Sequence, residues 1–256
     1  MMGFMERKKC WQPPAMLVLA RDEVHLWLVS LEQAPECVSQ FWATLAPDEQ
    51  ARAARFVFEK DRRKFTVARG VLRALLGHYL QAPAATLRFT YNAYGKPALE
   101  WPASQPALCF NLSHSHEMAL YAFTYERALG VDIEYMRALV LEDYLLIARS
   151  HFSADEYVTL SALPEELRQQ AFFNCWTRKE AYIKTRGKGI SIPLDTFTVS
   201  LAPGEPAALL ASREAPHTVA AWSLSLPTVP PDYAAALMVE GHTWRACSWQ
   251  WGAASE

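Results

Sequence analysis

Twice along this chain a long helical segment bearing basic residues runs into a Gly-Lys loop and then a proline, once over Lys60 to Pro97 and again over Phe172 to Pro193. In the first, Phe65, Ala68, Leu72, Leu75 and Tyr79 recur at alternating steps of three and four, so the spacing predicts a helix over Lys60–Tyr79 with one face in a core. In the second, the helix runs from Glu165 to Thr185 and stops at Gly187 and Gly189. Short strands separated by Gly, Pro, Asn and Ser flank both helices. A duplication of this kind predicts two similar α+β lobes in one chain, since each helix needs a sheet face to cover.

The remaining elements fit that plan. Leu17–Leu19 and Val24–Leu31 read as a hairpin around Arg21-Asp22-Glu23, and Pro47 opens a short helix. Strands are expected near 87–91, 107–112, 119–124 and 129–133, and again near Phe197, 219–226, 233–239 and 244–249. Ser153 and Glu156 have the spacing of a capping box. The boundaries drawn are a leader over 1–15, an N-terminal lobe over 16–127 and a C-terminal lobe over 128–256.

Charge narrows the function. Lys and Arg number 25 against 27 Asp and Glu, a net −2, which argues against a general nucleic-acid or membrane-surface binder. The longest apolar runs, Ala15–Ala20 and Ala234–Val239, fall far short of the roughly 20 residues of a membrane span. Arg7, Lys8 and Lys9 are followed by the Pro13-Pro14 pair, which does not read as a secretory signal. Five scattered cysteines without a C-x-x-C pair support neither a disulfide framework nor a zinc site, so a cytoplasmic setting is expected.

Several groups carry chemistry. Asp132 and Glu134 stand at i and i+2 on an expected strand, so both project from one face. Two adjacent carboxylates repel, and a hard divalent cation such as Mg²⁺ relieves the repulsion; a solvated strand end is the commoner reading of the spacing alone. On the second long helix Phe173, Trp176, Glu180 and Ile183 fall on one stripe, so Glu180 interrupts an apolar face and needs a cation, either Lys184 at i+4 or a metal. Asp61 to Lys64, Gly95-Lys96-Pro97 and Asn111 to Ser115 each offer phosphate ligands. Arg62, Arg69 and Arg73 share a helix face, more often solvated than an anion site. Ser113 and His114 point to opposite faces of a strand and follow no G-x-S-x-G elbow, which disfavours a hydrolytic triad.

In this order the motifs resemble the Sfp-type 4′-phosphopantetheinyl transferase family. Its G-[VI]-D-I-E is similar to Gly130–Glu134, and its W-x-x-K-E-A-x-x-K-x-x-G-x-G to Trp176, Lys179, Glu180, Ala181, Lys184, Gly187 and Gly189. Its basic helix opening, G-K-P loop and N-[LI]-S-H-S are similar to Asp61–Phe65, Gly95–Pro97 and Asn111–Ser115. The resemblance implies an α+β fold made of a pseudo-twofold pair of lobes with the active site between them. It implies a holo-[acyl-carrier-protein] synthase type of transferase, moving the phosphopantetheine of coenzyme A to a serine of an acyl or peptidyl carrier protein and releasing adenosine 3′,5′-bisphosphate. By the same resemblance Asp132, Glu134 and Glu180 hold Mg²⁺ or Mn²⁺, Glu180 and Lys184 are catalytic, and Asp132, Lys184, Lys96, Ser113, His114, Arg52 and Lys64 contact coenzyme A or its metal. The carriers served are those of fatty acid, polyketide or nonribosomal peptide synthesis, and the enzyme is expected to be a monomer. Lys64 in place of the more usual Arg, and Glu49 where some relatives are basic, put the 3′-phosphate contacts in question. A non-catalytic coenzyme A or carrier-binding module and a Mg²⁺-dependent pyrophosphate hydrolase are the alternatives.

Overall fold

Two helices, α3 (Glu59–Tyr79) and α6 (Glu165–Arg186), each cover a sheet, in the computed structural model that describes residues 17–100, 105–136 and 141–251. The first sheet contains β1 (Glu23–Ser30), β4 (Leu108–Ser115), β5 (Met118–Tyr125) and β11 (Arg245–Trp251), in the order β11-β1-β5-β4. The second contains β6 (Leu129–Tyr135), β9 (Trp222–Ser225) and β10 (Tyr233–Glu240), in the order β6-β10-β9. Within each half a first strand is followed by a long helix, a small two-stranded ribbon and two more strands. The ribbons are β2 (Phe89–Tyr91) with β3 (Pro97–Leu99), and β7 (Phe197–Val199) with β8 (Leu209–Ser212). The order β1-β5-β4 thus repeats as β6-β10-β9, and the duplicated helix-and-loop pattern of the sequence has a topological counterpart.

Side-chain alternation stacks the layers. Trp27, Val29, Phe110, Tyr121 and Phe123 pack against Leu72, Leu75 and Leu76 of α3. The opposite face of the first sheet, with Val24, Leu26, Leu120 and Ala122, meets Val131, Ile133, Ala235, Leu237 and Val239 of the second. Ala234, Ala236 and Met238 then point at Phe173, Ala181, Tyr182 and Ile183 of α6. The result is helix, sheet, sheet, helix; β10, buried on both faces, is almost wholly apolar, as two-sided burial favours, whereas β1 buries Glu23 and His25 and β6 buries Asp132.

Three expectations need correcting. Residues 17–20 form no strand; β1 is flanked instead by β5, antiparallel, and by β11, parallel. A hairpin signal only reports a local turn, whereas β1 finds one partner near the middle of the chain and the other near its end. The last strand therefore joins the sheet of the first half, although it lies within 128–256. Arg69 and Arg73 are buried, not solvated, because Glu49 of α2 (Pro47–Ala54) is buried with them. Arg73 Nε donates to Glu49 Oε2 at 2.6 Å, Arg69 Nε to Glu49 Oε1, and both guanidinium groups lie over the Phe89 ring. The expected leader over 1–15 lies outside the described residues. The Ser153–Glu156 capping box forms as read and opens the helix α5 (Ala154–Ala162), while helices α1 (Pro35–Thr44) and α4 (Leu141–His151) were not anticipated.

Candidate active site

Gly130 lets α6 come down on β6. A Cβ there would stand 2.3 Å from the Ala181 carbonyl oxygen and 2.5 Å from the Thr185 amide nitrogen, so no other residue permits this approach. The pleat sends Val131 and Ile133 into the seam between the sheets and turns Asp132 and Glu134 toward the helix. Glu180 and Lys184, one turn apart on α6, face them. The helix ends at Gly187 in the left-handed conformation, φ 65°.

Lys184 is held by the strands. Its Nζ donates to Asp132 Oδ1 at 2.6 Å and to Ser113 Oγ at 2.8 Å, and Ser113 in turn donates to the same Asp132 oxygen at 2.7 Å. The partner of Lys184 is thus Asp132 and not Glu180, which forms no ion pair among the described residues. A buried carboxylate competes better for an ammonium than a half-buried one at i+4, because its alternative is desolvation without compensation. Asp132 is 2% exposed, and its Oδ2 is buried with no hydrogen-bond partner. Burial and the charge of Asp132 raise the pKa of Glu180 above the ordinary carboxylate range, with Lys184 opposing. Burial, then Asp132, also raise that of Glu134; a hydrogen bond from Ser115 and the charge of Lys184 oppose the rise, and Glu180 adds to it. Three carboxylates therefore lie in the field of one ammonium that pairs with Asp132 alone, and one Asp132 oxygen is buried without a partner. Such a donor set fits a hard divalent cation. The three are not drawn to ligand distance as a set: among the described residues the only trio of such side chains with ligand atoms within 4.8 Å is Glu23, His25 and Cys247.

The other expected residues fall on either side of this centre. Strand alternation puts His114 on the α3 side of β4, where burial, then Lys184 and Lys64, hold its pKa below the usual histidine value, with Asp132 opposing. Lys64 and Lys184 thus bring positive potential to bear at His114. Asn92 and Lys96 in the β2–β3 turn tie that turn to the end of α6: Asn92 Nδ2 donates to the Gly187 carbonyl at 2.7 Å, and Lys96 Nζ to the Lys184 carbonyl at 2.6 Å. Tyr94, Lys96, Asn111, Glu180, Lys184 and Gly189 are among the residues that line a cleft of about 240 Å³. Arg52 is exposed on α2 with its guanidinium 5.5 Å from the centre of the Phe65 ring, and it does not line this cleft. Beyond Glu134 lies a second hollow of about 370 Å³, walled by Tyr135, Ile147, Phe172, Phe173 and Trp176.

Reading the sequence alone missed what holds these groups. Lys179, next to Glu180, is fully buried, pairs with Glu156 at 2.7 Å and donates to the carbonyls of Leu194 and Phe197, so it anchors α6 from behind. A lysine on the face opposite an apolar stripe gives no such signal. Glu49 belongs to the arginine pair described above, which accounts for an acidic residue there. Glu23, His25 and Cys247 meet only because β11 returns to β1, and Glu23 is already engaged by the Ala20 amide, His25 and Arg245.

The chain matches the profile of the 4′-phosphopantetheinyl transferase superfamily over residues 128–238, and that of the N-terminal 4′-phosphopantetheinyl transferase region over 32–125. It is 42% identical to the 4′-phosphopantetheinyl transferase HetI of Nostoc over 243 residues, spanning 94% of this chain and 98% of that one. The chain belongs to the 4′-phosphopantetheinyl transferase superfamily. A second relative of this superfamily, Sfp of Bacillus subtilis, is 32% identical over 63% of this chain and 69% of its own. The human L-aminoadipate-semialdehyde dehydrogenase-phosphopantetheinyl transferase is 28% identical over 62% of this chain and 54% of its own. The boundary between the two matched regions, after Tyr125 and before Ala128, falls in the turn between β5 and β6, where the first sheet gives way to the second.

Proposed function

We propose that this transferase moves the 4′-phosphopantetheine of coenzyme A to a serine of an acyl or peptidyl carrier protein, with a divalent cation, Mg²⁺ or Mn²⁺, held by Asp132, Glu134 and Glu180. The observation that carries the reading is the unpartnered Asp132 Oδ2, with three carboxylates in the field of one lysine. When bound, the cation supplies neutralisation of the pyrophosphate charge. In the transfer the serine oxygen forms a bond to the phosphorus of the phosphopantetheine and the pyrophosphate bond breaks, releasing adenosine 3′,5′-bisphosphate. Glu180 orients the serine hydroxyl and takes its proton. Lys184, fixed by Asp132 and Ser113, faces the charge that develops on the phosphates. Lys64 and His114 contribute to the binding of the nucleotide phosphates, and Lys96 holds the loop that closes the cleft from the first half. In the structure the hydroxyl of Ser113 is committed to Lys184 and Asp132, so we assign it to positioning them. Arg52 remains assigned to the adenosine end of coenzyme A. The aromatic hollow beyond Glu134 suits the uncharged pantetheine arm.

The test is intact-mass analysis of a panel of apo carrier domains from fatty acid, polyketide and peptide synthases, incubated with the enzyme, coenzyme A and Mg²⁺. A carrier heavier by one phosphopantetheine is the expected result. Binding with no product would make the chain a recognition module, and free phosphopantetheine a hydrolase. Transfer that persists in excess EDTA would remove the metal from the reading.

A further inference from the structure

β4 and β6 are edges of different sheets with no backbone ladder between them, yet a row of side chains joins them. Asn111, Ser113 and Ser115 alternate along β4 and face β6. Asn111 Oδ1 accepts from the Val131 amide at 2.9 Å, Ser113 donates to Asp132 at 2.7 Å, and Ser115 donates to Glu134 Oε2 at 2.7 Å. A hydroxyl has one proton, and at Ser115 its use is settled: the Tyr135 amide donates to the same Oγ at 3.1 Å, so the Ser115 proton goes to Glu134. One oxygen of Glu134 is thereby fixed and the other is left for the cleft. Ser113 repeats the pattern one row earlier, accepting from Lys184 and donating to Asp132 Oδ1 while Oδ2 stays without a partner.

We propose that Ser115 is a positioning residue that fixes one oxygen of Glu134 and so sets the affinity of the cleft for a divalent cation. It touches neither substrate nor reacting atoms. Glu134 has no ion pair among the described residues, and Ser115 is its one side-chain hydrogen-bond partner there. The charges of Asp132 and Glu180 repel that of Glu134. Without the Ser115 bond, a side chain with three rotatable bonds is free to swing to solvent, and binding a cation must then bear the cost of ordering it. Outer partners of this kind typically set metal affinity by about 10–100-fold.

The inference rests on the metal reading above, and Mn²⁺ alone as probe separates the two. Binding of Mn²⁺ to the full chain, by calorimetry and by the loss of free-ion EPR signal, is compared for the wild type, Glu134→Ala, Ser115→Ala and Ser115→Thr. The expected result is Mn²⁺ affinity about 10–100-fold weaker in Ser115→Ala, restored in Ser115→Thr, with unchanged melting temperatures in the absence of metal. In the transfer assay the Mg²⁺ concentration for half-maximal rate rises in parallel. Wild-type Mn²⁺ affinity in Ser115→Ala, or a loss that tracks a lowered melting temperature and is not restored by Thr, overturns the role of Ser115. If Glu134→Ala binds Mn²⁺ as the wild type does, or the wild type binds none, the metal reading falls and this inference with it.

Discussion

Replacing Lys184 by Met removes the ammonium in whose field three carboxylates lie, and the structure says what each consequence should be. Lys184 is 27% exposed at its side chain and its partner Asp132 3%, so this is a pair with one deeply buried member. Asp132 keeps its bond from Ser113, which limits the cost to that of one lost charge-assisted bond to a buried carboxylate, about 1–3 kcal/mol. For a chain of this size that is a fall in melting temperature of roughly 2–4 °C per kcal/mol. Mg²⁺ should return part of it, since a cation that binds the folded state stabilises it by mass action. Turnover should fall much further, by about 10²–10³, if Lys184 stabilises charge that develops only in the transition state. The assays are thermal unfolding with and without Mg²⁺ and steady-state transfer to an apo carrier at saturating coenzyme A. A Lys184→Met enzyme that loses stability, regains it with Mg²⁺ and turns over within about threefold of the wild type would refute the catalytic role and leave only the ion pair.

Glu49→Ala should leave Arg69 and Arg73 as uncompensated buried charges and cost about 3–5 kcal/mol in chemical denaturation, while coenzyme A affinity of the folded enzyme is unchanged; a loss of affinity without loss of stability would place Glu49 at the ligand instead. Burial holds the pKa of His25 below its ordinary 6.5, its bond to Glu23 opposing, so the folded state favours the neutral ring and the unfolded state binds the proton first. The contribution of His25 is then complete above about pH 6.5 and is lost as pH falls through the folded-state pKa. Melting temperatures measured from pH 8 to 5 should fall more steeply for the wild type than for His25→Gln, and parallel curves would contradict the assignment.

The long helices were legible because their apolar spacing is strictly local, and α3 and α6 begin and end within a residue or so of where the periodicity put them. The duplication was legible for the same reason, as the same local pattern written twice. Asp132, Glu134, Glu180 and Lys184 could be picked out as well, from a period of two on a strand and of 3.6 on a helix, and from motifs that resemble a known family. What pairs with what was not. The partner of Lys184 lies 52 residues away on β6, not one turn away on its own helix, because only the packing at Gly130 brings strand and helix within reach. Arg69 and Arg73 look like a solvated helix face until α2 lays Glu49 over them. β11 pairs with β1 by main-chain hydrogen bonds that carry no side-chain signature, and the Asn111, Ser113, Ser115 row gains its meaning only where two sheet edges meet. Sequence by itself determined the periodic elements and the kinds of chemical groups available. The tertiary structure decided which charges are buried, which carboxylate oxygen is spoken for and which is left open, because burial and pairing depend on surfaces contributed by segments far apart in the chain.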